Sequence, residues 1–247
     1  MGKLWDKICG VRDRNRPFCT AVIPAAGSSE RMNGDNKLFM DLCGAPVLMR
    51  TLCVVDQTER VDEIVIATRE DLLEQVADLC SRAGLKKSVK VVKGGSSRLE
   101  SVLAAVLEAD PRSELIAVHD GNRPLILPSE FDDLVRQGSS TFAVAPAVPL
   151  TDTVKFTDEN RRVKSTPDRR SLFAVRTPQV FQIDILKAAL QSARDAGELI
   201  TDDCSAVERL GKEVYLTPGN PENIKITIPL DMIVAEAILK RRERGDR

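Results

Sequence analysis

Short apolar runs alternate with longer stretches of helical periodicity from residue 19 onward. The runs are nearly continuous in apolar character, which is typical of parallel strands covered on both faces. Five of them are predicted as strands: Thr20–Pro24, Glu63–Ala67, Val89–Val92, Leu115–Val118 and Phe142–Ala147. Later in the chain, short strands are expected at Glu213–Leu216 and Ile224–Ile226.

The stretches between these strands have the apolar spacing of amphipathic helices. Pro46 is suited to a first helical position and Gly84 to a helix end, while Ser97 and Glu100 have the spacing of a capping box. The pattern predicts helices over Val47–Val55, Glu70–Ala83, Arg98–Leu107, Ile183–Ala196, Asp202–Leu210 and Leu230–Arg242. This rhythm favours right-handed βαβ units and a doubly wound α/β sheet.

The polar segment from Thr151 to Arg170 interrupts this pattern and has no helical period. Because about twenty residues of coil are uncommon inside a compact domain, we predict a protruding pair of strands, Thr153–Phe156 with a partner near Val163–Thr166. Such a β-arm, over about residues 149–171, is placed to reach a neighbouring subunit. The chain of 247 residues is otherwise predicted as an N-terminal extension, 1–17, and a single domain, 18–247.

Composition narrows the possible chemistry. The chain has 36 basic and 37 acidic residues, and a net charge of −1 gives no indication of a nucleic-acid or membrane-surface protein. No apolar run has the length of a transmembrane helix or of a secretory signal. Six cysteines without Cys-x-x-Cys spacing and a single histidine, His119, argue against a zinc site and favour a reducing, cytoplasmic setting.

The loop after the first predicted strand combines small residues with basic ones. Pro24-Ala25-Ala26-Gly27 is followed by Arg31 and Lys37. Small residues let a backbone approach a ligand closely, loop amides bind phosphate oxygens, and basic side chains neutralise their charge. Because the spacing matches neither a P-loop nor a dinucleotide fingerprint, the loop is either a polyphosphate site of another type or an ordinary strand–helix connection.

Two further segments follow predicted strands, the position at which open parallel sheets bind ligands. Gly94-Gly95 precedes Arg98 and Ser101 at a predicted helix N-terminus, which either binds an anion or is simply a capped helix. The run His119-Asp120-Gly121-Asn122-Arg123-Pro124 offers a carboxylate for a Mg²⁺–phosphate site, or only a capping residue. Its histidine adjoins a buried strand and is interpreted as structural.

Several motifs of this kind occur in a fixed order along the chain. They are Pro24-Ala25-Ala26-Gly27 with Arg31-Met32 and Lys37, Gly94-Gly95-x-x-Arg98-x-x-Ser101-Val102, His119-Asp120-x-x-Arg123-Pro124, Asp152-Thr153-x-Lys155, Thr177-Pro178-Gln179-x-Phe181, Thr201-Asp202-Asp203 and Asn223-Ile224-Lys225-x-Thr227-x-Pro229-x-Asp231. This series, over about residues 19–240, resembles the family of 2-C-methyl-D-erythritol 4-phosphate cytidylyltransferases. An ordered series is far more specific than any single glycine loop.

The resemblance implies a Rossmann-like, mostly parallel nucleotidyltransferase sheet and a homodimer joined by the β-arm. It also implies a Mg²⁺-dependent reaction that transfers CMP from CTP to a polyol phosphate, 2-C-methyl-D-erythritol 4-phosphate, with release of pyrophosphate. This is a step of isoprenoid precursor synthesis by the non-mevalonate pathway.

By matching motif, the resemblance assigns roles to individual residues. Arg31 and Lys37 would stabilise the α-phosphate and the departing pyrophosphate. Lys225 and Arg169 would position the substrate phosphate, with Arg169 and Thr153 supplied by the arm of the other subunit. The nucleotide would be bound by Pro24, Ala25, Ala26, Gly27, Gly95, Arg98, Ser101 and Asp120. The alcohol phosphate would contact Arg123 and Thr177, and the Mg²⁺ would be held by Asp120.

The chemistry of these residues agrees with such a reaction. A phosphate monoester is largely dianionic at pH 7 and attacks without a general base. The reaction therefore needs no histidine, but it needs charge neutralisation and in-line positioning by Lys, Arg and Mg²⁺.

The sequence departs from the family pattern at Gly121-Asn122, where two alanines are usual, and at Asn36, where a proline is common. One alternative is therefore a cytidylyltransferase for another alditol phosphate, such as ribitol 5-phosphate, which shares the His-Asp-x-x-Arg-Pro segment. The Pro24-Ala25-Ala26-Gly27 start favours the methylerythritol family. A second alternative is a nucleotide-binding module without turnover, although the presence together of Arg31, Lys37, Arg169 and Lys225 argues against it.

Overall fold

The computed structural model describes residues 16–27 and 36–245. The predicted catalytic Arg31 and nearly all of the predicted N-terminal extension lie outside the described residues. At the start of the described chain, Arg16 forms an ion pair with Asp62, with 2.7 Å between Nη2 and Oδ1. This contact attaches residue 16 to the folded domain.

The described residues form twelve strands and seven α-helices. The strands are β1 (Phe18–Pro24), β2 (Asp41–Leu42), β3 (Ala45–Pro46), β4 (Glu63–Thr68), β5 (Ser88–Lys93), β6 (Ser113–Val118), β7 (Ala143–Pro149), β8 (Phe156–Thr157), β9 (Val163–Ser165), β10 (Phe173–Val175), β11 (Gln179–Gln182) and β12 (Tyr215–Pro218). The helices are α1 (Val47–Gln57), α2 (Leu73–Ala83), α3 (Arg98–Leu107), α4 (Pro128–Gly138), α5 (Ile183–Asp195), α6 (Asp203–Arg209) and α7 (Pro229–Glu243).

Eight of these strands form one sheet, in the order β10-β7-β11-β6-β1-β4-β5, with β12 on the other edge of β7. The neighbours β5, β4, β1 and β6 are parallel. Between β6 and β7 lies β11, which is antiparallel to both, and β10 continues along the same edge of β7. The prediction of a Rossmann-like, mostly parallel α/β sheet is confirmed, with antiparallel strands in one half.

Helices cover both faces of the sheet, so the fold is doubly wound as predicted. On β1, Ala21 and Ile23 belong to one core and Val22 to the other, as the two-residue period of a strand requires. Helices α1, α2 and α4 pack on the first face, and α3, α5 and α6 on the second. Burial on both faces explains why the sequence shows continuous apolar runs here.

Most of the predicted helices and strands are confirmed to within a few residues. The helix predicted from residue 70 begins instead with a 3₁₀ turn, Glu70–Leu72, and continues as α2, which ends at Gly84 with a left-handed φ of 61°. Pro46 caps α1 rather than lying inside it. At α3, Ser97 accepts a hydrogen bond from the Glu100 amide, but the Glu100 carboxylate binds the Ser96 amide, so the capping box is half formed.

Helix α4 and the short strands β2, β3, β10 and β11 were not predicted, and one predicted strand is wrong. Helix α4 carries a proline in its first turn and buries Phe131, Leu134 and Val135, a spacing that the sequence already contains. Strands β10 and β11 are too short to show periodicity. The predicted strand at Ile224–Ile226 is instead coil that hydrogen-bonds to the loop after β6.

The polar segment does form a strand pair, but its first strand begins at Phe156, three residues later than predicted. Strands β8 and β9 pair with each other as a separate two-stranded sheet, although they are only two and three residues long. Phe156 is 60% exposed and Val163 is 59% exposed, so the pair presents apolar side chains to its surroundings. Its role in joining two subunits stays a prediction. In the part of the chain that the structure describes, no helix has the length and apolar character to span a membrane.

Candidate active site

A cavity of about 300 Å³ opens at the carboxyl ends of the parallel strands. It is lined by residues that directly follow β1, β4, β5 and β6, together with residues from two other segments. The lining residues are Pro24, Ala25, Ala26, Gly27, Lys37, Leu38, Arg69, Gly95, Ser96, Ser97, Arg98, Ser101, Asp120, Asn122 and Lys225. Ligand sites of open α/β sheets occur at this edge.

The cavity brings together most of the residues predicted from the motifs. All eight predicted nucleotide-binding residues, as well as Lys37 and Lys225, line it. Arg123 and Thr177 are buried directly behind it. Thr153 and Arg169 are exposed and lie outside the cavity as the described residues form it, and Arg169 donates to the Thr151 carbonyl at 2.6 Å.

Asp120 is the centre of charge in this cavity. Its Oδ1 accepts from Arg98 Nη1 at 2.7 Å, and its Oδ2 lies 3.1 Å from Arg123 Nε and 3.0 Å from Lys225 Nζ. Burial by itself would raise the pKa of Asp120, but the charges of Arg98, Lys225 and Arg123 outweigh burial and hold the pKa well below its usual range. The carboxylate is therefore ionised whenever the fold is intact near neutral pH.

Arg98 connects Asp120 to a second buried carboxylate. Its Nη2 donates to Asp203 Oδ2 at 2.8 Å. Asp203 is fully buried at the start of α6, and burial raises its pKa in spite of the neighbouring guanidinium. Gln179 supports this corner because its side-chain oxygen accepts from the amides of Asp203 and Cys204 at 3.1 Å. The motif residues around Thr201–Asp203 thus position Arg98 at the cavity wall.

A chain of hydrogen bonds runs through His119 behind the cavity. The Asp120 amide donates to Thr177 Oγ1 at 3.0 Å, and this hydroxyl lies 3.0 Å from His119 Nδ1. His119 Nε2 lies 3.0 Å from the Arg123 carbonyl, which can only accept. Nε2 therefore carries the proton, and Nδ1 accepts from Thr177. Burial lowers the pKa of His119 to about 4, so the ring is neutral and structural, as the sequence analysis expected.

The segment that carries Lys225 is fixed to the loop after β6. Arg123 Nη1 donates to the Asn223 carbonyl at 2.9 Å, and Asn223 Nδ2 donates to the Thr177 carbonyl at 2.8 Å. Asn122 Nδ2 donates to the Ile226 carbonyl at 2.6 Å. Arg123 and Thr177 therefore hold neighbouring protein groups in this structure, and their predicted contact with the alcohol phosphate stays a prediction.

The backbone of the glycine turn closes the other side of the cavity. The Gly94 amide donates to the Thr68 carbonyl and the Ala25 amide to the Ala67 carbonyl, both at 2.7 Å. A Cβ at Gly95 would lie 2.2 Å from the Glu100 Cβ. Glycine is thus required at residue 95 by close approach to the first turn of α3, which leaves the loop backbone open to the cavity.

Sequence reasoning missed Arg69, and it named Asn122, Gln179 and Asn223 in motifs without the contacts that the structure shows. Arg69 and Asn122 line the cavity, Asn223 holds Thr177 behind it, and Gln179 holds the backbone amides of Asp203 and Cys204. Arg69 directly follows β4, so its position at a strand end was the available signal. The role of Asn223 depends on contact with Arg123, a hundred residues earlier in the chain, which no local pattern indicates.

Comparison with known proteins identifies the family. A family model described as 2-C-methyl-D-erythritol 4-phosphate cytidylyltransferase matches residues 19–241. The chain belongs to this family. It is 41% identical over 226 residues to the 2-C-methyl-D-erythritol 4-phosphate cytidylyltransferase of Halalkalibacterium halodurans, which covers 91% of this chain and 98% of the relative. It is also 42% identical over 221 residues to the 2-C-methyl-D-erythritol 4-phosphate cytidylyltransferase of Bacillus velezensis. That match covers 89% of this chain and 94% of the relative.

Solved structures agree with the family assignment. The fold is similar to the crystal structure of 4-diphosphocytidyl-2C-methyl-D-erythritol synthase from Anaerococcus prevotii, with a TM-score of 0.81 and 30% identity over 91% of this chain and 99% of that one. The matched region of the 2-C-methyl-D-erythritol 4-phosphate cytidylyltransferase family contains every site residue predicted from the motifs. Because the family is one of enzymes, membership argues against a nucleotide-binding module without turnover. The roles of individual residues stay predictions.

Proposed function

We propose that this protein transfers CMP from CTP to 2-C-methyl-D-erythritol 4-phosphate and releases pyrophosphate, in isoprenoid precursor synthesis. The observation that carries this proposal is one cavity at the strand ends, in a chain of this family, where Arg98 and Lys225 bind Asp120 and which Lys37 also lines. Cations grouped in one cavity neutralise a polyphosphate and the charge that develops as it reacts.

In the reaction, a phosphate oxygen of the alcohol substrate attacks the α-phosphorus of CTP. A new bond forms between that oxygen and the α-phosphorus, and the bond from the α-phosphorus to the bridging oxygen of the β-phosphate breaks. The bonding electrons leave with pyrophosphate. The attacking phosphate is already largely dianionic at pH 7, so no protein base takes up a proton. A site whose one histidine is buried and neutral suits this chemistry.

The basic residues that the structure describes would contact different phosphates, according to their position in the cavity. Lys37 follows the first loop and would face the phosphates of CTP, together with Arg31, which lies outside the described residues. Lys225 would bind the phosphate of the alcohol substrate. Its present partner, Asp120, is also bound to Arg98 and Arg123, so Lys225 can turn to an incoming phosphate without leaving the carboxylate unpaired.

We propose Mg²⁺ as the cofactor, carried into the site largely by the phosphates of CTP. Among residues 16–27 and 36–245 there is no group of three acidic, His or Cys side chains arranged to hold a metal ion. Asp120 is the only carboxylate among the described residues that line the cavity. One carboxylate together with substrate phosphates is a normal coordination for Mg²⁺, so Asp120 fits as its protein ligand. When bound, the ion would neutralise negative charge on the phosphates.

We further propose that the active site is completed by a second copy of this chain. Thr153 and Arg169, which are predicted from their motifs to contact the substrate, are exposed and lie outside the cavity formed by the described part of their own chain. They flank the strand pair β8–β9, whose Phe156 and Val163 are exposed. In a homodimer, the arm of one subunit would pack its apolar side chains on the other subunit. Thr153 and Arg169 would then reach the cavity of that neighbouring subunit.

The test of the proposed function is pyrophosphate release with CTP, Mg²⁺ and a panel of polyol phosphates. We expect 2-C-methyl-D-erythritol 4-phosphate to be the substrate with the highest kcat/KM. A higher kcat/KM with ribitol 5-phosphate would assign the protein to the other alditol phosphate. This second candidate is tested because Asn122, in the loop expected to contact the acceptor, lines the cavity. Release with none of the panel would contradict the proposal.

A further inference from the structure

Asn122 lies between the two segments that carry Asp120 and Lys225. The residue is 6% exposed and borders the cavity. Its Nδ2 donates to the Ile226 carbonyl at 2.6 Å. Because that carbonyl can only accept a hydrogen bond, the amide nitrogen must face Ile226, and the orientation of the side chain is fixed.

The backbones of the same two residues are also joined. The Ile226 amide donates to the Asn122 carbonyl at 2.9 Å. Two residues before Asn122 is Asp120, and immediately before Ile226 is Lys225, whose Nζ lies 3.0 Å from Asp120 Oδ2. The ion pair and the two Asn122–Ile226 hydrogen bonds therefore form one closed set of contacts between the segments.

The Asn122 side-chain amide is the hydrogen-bond donor to the backbone carbonyl of Ile226. Ile226 is fully buried, so water does not replace the amide as a partner for its carbonyl. A buried carbonyl that loses its partner is destabilised, and the backbone shifts to find another. A lysine has a flexible four-carbon stem, so the position of its Nζ depends on how firmly its backbone is held. A shift at Ile226 would therefore move Lys225.

We propose that Asn122 is a positioning residue that holds Lys225 at Asp120, ready for the phosphate of the alcohol substrate. This inference rests on the role of Lys225 in the proposed function. Asn122 acts through the Ile226 carbonyl and needs no contact with substrate. Its removal should weaken the use of the alcohol phosphate and leave CTP binding nearly unchanged, since the residues predicted to bind CTP come mainly from other loops.

A double-mutant cycle tests whether Asn122 acts through Lys225. The variants are Asn122→Ala, Lys225→Ala and the two combined, assayed by pyrophosphate release at saturating CTP. We expect Asn122→Ala to lower kcat/KM for the alcohol phosphate by about tenfold in the native chain, and by less than about twofold in the Lys225→Ala background. Equal losses in both backgrounds would overturn the proposal, as would a loss that appears only as a raised KM for CTP when CTP is varied at saturating alcohol phosphate.

Thr51→Val is the matched control for this cycle. Thr51 Oγ1 donates to the Gly121 carbonyl at 2.9 Å, so the substitution removes a buried hydrogen bond from the same loop without touching the Lys225 segment. Its effect on kcat/KM should be the same with and without Lys225. Coupling of the same size as for Asn122 would mean that any weakening of the loop disturbs Lys225, and would also overturn the proposal.

Hydrogen exchange separates this inference from the proposed function. In Asn122→Ala, the amides of residues 223–227 should exchange about tenfold faster than in the native chain, whereas Thr51→Val should leave them unchanged. If Asn122→Ala does not fold, Asn122→Ser, whose hydroxyl is too short to reach Ile226, takes its place. Unchanged exchange at residues 223–227 would overturn the inference. A native chain without any pyrophosphate release would contradict the proposed function alone, because the exchange measurement needs no turnover.

Discussion

At the scale of single residues, charge is distributed very unevenly in this protein. The formal net charge is −1, yet Arg98, Arg123 and Lys225 converge on one carboxylate, Asp120. Asp120 is nearly buried, so these contacts are poorly screened by solvent. The sum over the chain therefore says little about the site, and the local arrangement of a few ionised groups determines its chemistry.

Replacing Asp120 tests how strongly this carboxylate organises the cluster. In Asp120→Asn the shape is kept, but Arg98 and Arg123 lose their negative partner in a buried setting. Breaking a buried ion pair is costly, so we expect the free energy of unfolding to fall by about 3 kcal/mol, measured by urea denaturation. Asp133→Asn is the control, because its ion pair with Arg136 is exposed and should contribute little. Similar losses in the two variants would show that Asp120 is not the organising group.

The lowered pKa of His119 predicts how the free energy of unfolding depends on pH. Burial lowers its pKa from 6.5 to about 4 in the folded protein. Between these two values the unfolded chain binds a proton that the folded chain does not, so stability falls as pH falls through this window. Asp120 and Arg123 are the charged groups nearest the ring, and their opposite effects on its pKa are smaller than that of burial.

The measurement is the free energy of unfolding at pH 7 and pH 4, in the native chain and in His119→Gln. The glutamine keeps a donor for the Arg123 carbonyl but does not titrate. From the size of the pKa change, the native chain should lose up to about 3 kcal/mol more than the variant between these pH values. A parallel loss in both proteins would mean that the pKa of His119 is not lowered in the folded protein.

At the scale of elements, helix α3 joins the fold to the site most directly. It begins at Arg98, which reaches Asp120 and Asp203, and its N-cap is Ser97. The helix was predicted with its observed bounds because its start signal and its apolar spacing are both local. By contrast, β11 was missed because its four residues are held by β6 and β7 on either side. A short strand that is stabilised mainly by the strands beside it has little hydrophobic periodicity in its own sequence.

The cap of α3 gives a prediction for stability. Ser97 Oγ accepts from the Glu100 amide at 3.1 Å, and Ser97→Ala leaves that amide without its side-chain partner. We expect the free energy of unfolding to fall by about 1 kcal/mol, measured by chemical denaturation. Ser192→Ala, at an exposed position inside α5, is the control and should change it by less than about 0.5 kcal/mol. If the two substitutions have equal effects, the cap of α3 contributes nothing measurable.

At the scale of the whole molecule, the proposed homodimer gives the sharpest prediction. In a dimer that exchanges arms, each active site combines the cavity of one subunit with Arg169 of the other. Mixing Lys37→Ala subunits with Arg169→Ala subunits would then create heterodimers with one site intact and one site doubly defective. Random pairing at equal amounts should give about one quarter of the native activity, although each variant alone is nearly inactive.

This mixing experiment needs two controls. Exchange of subunits is shown by mass spectrometry of differently labelled chains, and a mixture of Lys37→Ala with Lys225→Ala should stay inactive, because both residues line the cavity of their own chain. If heterodimers form but activity does not return, the two subunits do not share their sites. Recovery in the control mixture as well would point to contamination or to sites of another composition.

The sequence by itself determined most of the helices and the parallel strands, their approximate order, the polar arm segment and the family. These follow from patterns that span a few residues, or from motifs whose order is read directly along the chain. It also indicated that Lys37, Arg98, Asp120 and Lys225 belong to one site, through their resemblance to the family.

Only the tertiary structure decided how these residues meet. Asp120 is bound by cations from residues 98, 123 and 225, and Asn122 is bound to Ile226. The sequence pattern likewise did not indicate that β11 lies antiparallel between β6 and β7. The physical reason is that periodicity records which side of an element is buried, whereas these contacts depend on which distant segments the packed sheet brings to the same edge.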